Sequence, residues 1–199
     1  MAASPPSSTA PHYGMAASDQ DTSSERPSAG AVACLSENAL RRRLAEEVNR
    51  AGRHSTPLSC LLVTIGNLGE LAHEHGGELY EQTLSYVARA LASQVRDFDR
   101  IGVPRAGELL LLLPGADGPR GEIVARRALA RLRTIKVEVD GERRPLSLSL
   151  GLAAWHDGLG AAELLELARA AARRDHGNGN GGGLASSSPP ALGRPHGSA

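Results

Sequence analysis

Apolar residues recur through the middle of the chain at two spacings, and neither spacing reaches the ends. Leu40, Leu44 and Val48 fall on one helical face, and Ser36 stands where a cap belongs, so the pattern predicts a helix over 36–53. After Pro57 the run Leu58–Ile65 is almost continuously apolar and of strand length, which predicts a central, buried strand. A short helix is expected over Leu68–His75, and Gly76-Gly77 marks a break or kink. Leu79, Thr83, Val87, Leu91 and Val95 then form a stripe that predicts a helix over 78–95.

The second half alternates more quickly. Residues 99–104 and 107–113 read as two short strands joined by a tight turn at Arg105-Ala106, and the wholly apolar 109–113 belongs in a sheet interior. Pro114-Gly115 ends it. Val124, Ala128 and Leu132 predict a helix over 120–133. Strands are expected over 135–139 and 146–154, separated by a polar turn containing Gly141, and a last helix over 161–175. This order of elements predicts an α+β fold: a central, mostly antiparallel sheet flanked by helices.

Composition divides the chain. Residues 1–33 and 177–199 are dominated by Ser, Pro, Gly, Ala and His, and their few apolar side chains cannot offset ordering entropy, so both are expected to be disordered. Residues 34–176 are left as the folded domain, long enough to bury a core, which at 3% aromatic residues must be aliphatic. The glycines of 177–183 neither follow a strand nor open a helix, which argues against a phosphate-binding loop.

Lys plus Arg and Asp plus Glu number 22 each, for a formal net charge of zero, which argues against a nucleic-acid binder. Cys34 and Cys60 make neither a disulfide framework nor a metal cluster. No apolar run approaches a membrane span, and the N-terminus carries no basic and apolar leader, so a cytoplasmic location and no membrane association are expected. His73-Glu74-His75 offers metal ligands by type, but positions i and i+2 of a helix point to different sides. Arg41-Arg42-Arg43 reads as a solvated helix face, and Trp155 as packing at a strand end.

The segment RDFDRIGVPRAGELLLLLPG (96–115) resembles the GGDEF (diguanylate cyclase) family's stretch of R-x-x-D, five residues, the signature pentapeptide, an apolar strand and a Pro. Arg105-Ala106-Gly107-Glu108-Leu109 falls on the signature without a gap. PLSCLLVTIGNLGELAHEHGGELYEQTL (57–84) resembles the family's first strand and its D-x-D-x-F-K…N-D…G-H…G-D segment, Ser149-Leu150-Gly151 its S-I-G, and Leu164-Leu165 with Ala168 its final helix. The likeness covers about 36–180. It implies a nucleotidyl-cyclase-like fold with a ferredoxin-like core, in a bacterial cyclic di-GMP signalling protein.

The apolar framework matches this family better than the polar motifs do. In the family, a 3′-hydroxyl of one GTP attacks the α-phosphate of another, and carboxylates hold the divalent metal that assists. The matching positions here are Thr64 and Gly107, which carry no carboxylate. The guanine-reading Asn falls on Ala72, the neighbouring Asp and His on His73 and Gly76, and the first signature Gly on Arg105. Glu81 and Glu108 retain carboxylates. The resemblance therefore implies a degenerate domain, no catalytic residues, no metal or other cofactor, and no enzyme activity.

Arg96 and Asp99 keep the R-x-x-D spacing of the family's inhibitory (I-) site for cyclic di-GMP, and Arg127, or its neighbour Arg126, matches a second Arg often supplied by a neighbouring domain. Arg can pair bidentately with guanine N7 and O6 or with phosphate, and Asp can accept from guanine N–H groups. The expected ligand is cyclic di-GMP, with a second copy of the chain or an unidentified protein as partner. Another reading stays open, in which Asp99 forms a turn, Arg96 is a helix-end cation, and the fold serves as a ligand-independent interaction or dimerisation module.

Overall fold

The computed structural model describes residues 34–176 and 184–187. Its elements run α1 (Glu37–His54), β1 (Leu58–Ile65), α2 (Leu68–His75), α3 (Gly77–Ala92), β2 (Arg100–Gly102), β3 (Glu108–Pro114), α4 (Gly118–Leu132), β4 (Lys136–Val139), β5 (Glu142–Pro145), β6 (Leu148–Ala154), α5 (Ala161–His176) and β7 (Leu184–Ser187). Five strands form one sheet in the order β2-β3-β1-β6-β7. β1 takes the middle, antiparallel to both β3 and β6, with Leu61 opposite Leu111 on one side and Leu152 on the other.

Alternation along the strands sends side chains to two separate cores. Leu61, Val63, Leu109, Leu111, Leu150 and Leu152 meet α3 and α4 through Val87, Leu91, Ala128 and Leu132. On the opposite face Cys60, Leu62, Leu110 and Leu112 meet α1 through Leu40 and Leu44, and α5 through Leu164, Leu165 and Ala168. Helices cover both faces, so the inner strands read as unbroken apolar runs rather than alternating ones. Cys60 lies fully buried in the second core, and burial pushes its thiol up to about 12.

Several boundaries differ from the expected ones for local reasons. Helix α3 stops at Ala92, where tighter bonds to Ala90 and Leu91 carbonyls close its last turn and leave 93–99 irregular. Helix α4 begins at Gly118, because the Asp117 carboxylate accepts from the Arg120 N–H and Pro119 needs no N–H partner in the first turn. β2 is only Arg100–Gly102, and its outer edge is tied to Leu35 by two backbone hydrogen bonds. The break at Gly76 is real: its φ of +96° is one that glycine adopts without strain.

The region after α4 departs further. The polar tetrad Glu142–Pro145 is a strand of its own, paired with β4 in a separate two-stranded ribbon. Asp140 and Gly141 both take positive φ, as a two-residue hairpin turn of matching twist requires. The Asn67 side chain fastens the ribbon's exit, donating to the Pro145 carbonyl and accepting from the Ser147 N–H. Within 177–199, expected to be disordered, Leu184–Ser187 instead forms β7, parallel to β6. The remainder of that tail and the 1–33 arm lie outside the described residues.

Candidate functional site

Two clefts lie at opposite ends of the central strands. At the first, β1 ends, β3 begins, and cross-strand register aligns Glu108, Thr64 and Ser149 in one row facing α5. The loop before β3 is pinned there. The Gly107 N–H donates to Tyr80 Oη at 2.7 Å, the Gly107 carbonyl accepts from the Ile65 N–H at 2.9 Å, and the residue sits at φ +74°.

Glu108 has a side chain only 3% exposed, and two guanidiniums enclose its carboxylate. Arg105 reaches Oε1 at 2.8 Å from the loop. Arg169 arrives from α5 with Nη2 at 3.0 Å and Nε at 3.1 Å from Oε2, while its Nη1 pairs with Glu166. Burial pulls the Arg169 guanidinium down, but hydrogen bonds to Glu108 and Glu166 outweigh it and hold the group above its ordinary value. The cleft of about 470 Å³ is also lined by Thr64, Gly66 and Arg173. Of the pentapeptide 105–109, Arg105, Gly107 and Glu108 thus meet at this end. Ala106 is exposed on the loop, and Leu109 is buried on the other face of the sheet.

The remaining aligned positions lie elsewhere. Ala72 and His73 are on α2, and Glu81 on α3 lines a separate groove with Tyr86 and Arg89, against β4. Among the described residues no three His, Cys, Asp or Glu side chains gather as metal ligands. Arg169 went unread in the sequence. Its signal was a charge set into the apolar stripe Leu165, Ala168 and Ala172 of α5.

The second cleft, about 450 Å³, is lined by Arg96, Asp99 and Arg127 together with Gln94, Gly115 and Arg120. The structure therefore brings all three sequence-derived I-site residues to one place, and within one chain. Arg96 and Asp99 share a turn: the Arg96 N–H donates to Asp99 Oδ2 at 2.8 Å, and the Asp99 N–H to the Arg96 carbonyl at 3.0 Å. Asp99 Oδ1 takes no hydrogen bond among the described residues. Burial raises the Asp99 carboxyl, and the Arg96 N–H bond and the Arg96 and Arg100 charges pull against that rise.

Arg96 lies over the Phe98 ring, 5.6 Å from its centroid. Arg127 Nη2 donates to the Gln94 carbonyl at 3.0 Å, whereas Arg126 pairs with Glu122 outside the cleft. Arg120, also missed in the sequence, stands in the first turn of α4 after the Asp117 cap and lines this cleft. Three arginines against one carboxylate suit a ligand with phosphate groups.

The family model for the diguanylate cyclase GGDEF domain matches residues 35–181. No curated protein matches the sequence. Among solved structures, the diguanylate cyclase SiaD of Pseudomonas aeruginosa, determined with its activator SiaC, is similar with a TM-score of 0.70 and 24% identity. That likeness covers 77% of this chain but 59% of SiaD, less than two thirds of its length. The GGDEF domain of DgcB from Caulobacter crescentus, in complex with c-di-GMP, gives 0.69 and 15% over 81% of this chain and 97% of that one. The active GGEEF domain of a diguanylate cyclase from Vibrio cholerae gives 0.68 and 19% over 77% and 96%. At these identities the likeness is one of fold.

Proposed function

Because the chain belongs to the diguanylate cyclase GGDEF domain family, we propose that it serves in cyclic di-GMP signalling as a receptor that does not itself make the dinucleotide. The observation that carries the receptor reading is the meeting of Arg96, Asp99 and Arg127 in one cleft. Arg96 and Arg127 supply forks for guanine edges or phosphates, Arg120 adds a third cation, and Asp99 Oδ1 is free to accept a guanine N–H. DgcB's GGDEF domain, similar in fold, was determined with c-di-GMP.

The non-catalytic half rests on the donor set. The family's chemistry implies a divalent metal, and these residues do not suit one. Thr64 offers a neutral hydroxyl, Gly107 offers no side chain, and both Glu108 oxygens already accept from guanidiniums. Metal-assisted nucleotidyl transfer needs carboxylates free to bind the ion. The signal then passes through the protein surface to a partner or a second copy, as SiaD is engaged by its activator SiaC.

Calorimetric titration of the full chain with cyclic di-GMP tests the reading. Micromolar or tighter binding is expected, and Arg96→Ala should abolish it while leaving the melting temperature in place. Absence of heat and of any thermal shift at high ligand would favour the ligand-independent module. One observation supports that second reading: Asp99 Oδ2 and Arg127 are already engaged within the chain.

A further inference from the structure

One edge of the β4–β5 ribbon is left without a partner strand among the described residues. β4 pairs with β5 on its other edge, with Val137 opposite Arg144 and Val139 opposite Glu142. In a hairpin closed by the two-residue turn Asp140-Gly141, the flanking pair Val139–Glu142 exchanges hydrogen bonds, and bonded pairs alternate from there. Val137 and Val139 thus spend their main-chain groups on β5. Lys136 and Glu138 turn theirs outward, and Lys136 stands opposite Pro145, which has no N–H to share. The outer edge borders an open groove of about 750 Å³. The opposite wall is α3, through Leu79, Gln82, Arg89 and the exposed Tyr86, and no residue of β5 lines it.

The side chains along this edge match their own two-fold image. Val137 and Val139 are buried in the core, while Lys136, the chain's only lysine, and Glu138 are exposed. Neither charge has an ion pair among the described residues, although Arg143 stands opposite Glu138 across the ribbon. An edge bearing charge of one sign repels its own copy, whereas this one bears one of each, two positions apart. We propose that β4 is a dimerisation edge, occupied by β4 of a second copy running antiparallel about a two-fold axis at Val137. That register sets Lys136 opposite Glu138 of the second copy, and Glu138 opposite its Lys136. Both are positions whose outward main-chain groups exchange hydrogen bonds, so the two ribbons join into one four-stranded sheet. The groove shares no lining residue with the Arg96 cleft, so this inference and the receptor reading can fail separately.

The test is sedimentation velocity of the full chain, without added ligand, over a range of concentrations. A reversible monomer–dimer equilibrium is expected, and Arg96→Ala should leave it unchanged. Lys136→Glu makes both cross-strand pairs like-charged and should weaken dimerisation about tenfold or more. Glu138→Lys should do the same. The double variant Lys136→Glu with Glu138→Lys restores opposite charges in both pairs and should dimerise again. So should an equimolar mixture of the two single variants. Both residues are exposed, so circular dichroism should show every variant folded. A chain still monomeric at about 1 mM, the weak end of association, overturns the inference. So does a dimer that ignores both single substitutions, or one that the double variant fails to recover.

Discussion

At the scale of single residues, Glu108 and Asp99 are carboxylates with opposite surroundings. Glu108 is enclosed by Arg105 and Arg169, so it has become part of the scaffold. Glu108→Gln leaves the largely buried Arg169 without its principal counter-charge and should cost roughly 3 kcal/mol in urea denaturation. Arg105→Ala removes a mostly exposed partner and should cost less than about 1 kcal/mol by the same measurement. Asp99 is half-buried, and burial raises its folded pKa above the ordinary Asp value. The protonated form therefore favours folding at low pH, and that contribution fades as pH rises through the folded value. Ligand binding runs the other way, because only the ionised carboxylate is a pure acceptor. Cyclic di-GMP affinity should fall on acidification through that raised pKa, earlier than an ordinary Asp would allow. Asp99→Asn should flatten this dependence in titrations across the acidic range.

At the scale of elements, the contact between β6 and α5 holds the signature cleft together. Gly151 sits in the row below Ser149, and a Cβ there would run into the α5 backbone at Ala168 and Ala172. The glycine of Ser149-Leu150-Gly151 thus lets a helix rest directly on a strand, which is what brings Arg169 within reach of Glu108. Gly151→Ala should cost about 2 kcal/mol through overpacking, seen as a fall of several degrees in melting temperature. The other cleft depends on different elements. The early stop of α3 and the capped start of α4 set Gln94, Arg96 and Arg127 against one another.

At the scale of the whole molecule, one sheet separates two basic clefts at opposite ends of β1 and β3. Purified protein incubated with GTP and Mg²⁺ or Mn²⁺ should form no cyclic di-GMP, as followed by chromatography of the products. Restoring one carboxylate by Gly107→Asp should not create the activity, because Thr64 stays neutral and Glu108 stays paired. Appreciable product from the unaltered chain would overturn the non-catalytic reading.

Much of this was legible in the sequence, for reasons that are local. The apolar runs at 58–65 and 109–113 required strands covered on both faces, and the helical stripes supplied the covering layers. Thr64 and Gly107 at aligned positions, and the spacing of Arg96 and Asp99, could be read directly because each depends only on neighbours in the chain. Tertiary structure decided what depends on distant segments meeting. β5 is too polar to show a strand period, and it exists because β4 pairs with it across an Asp-Gly turn. Arg127 rather than Arg126 lines the second cleft, because it reaches the Gln94 carbonyl across 33 positions while Arg126 pairs with Glu122 on its own helix. The pairing of Arg169 with Glu108 spans 61 positions. No local pattern encodes it, because it follows from β6 seating α5 over the end of β3, and that seating turned a surviving signature residue into the floor of a basic cleft.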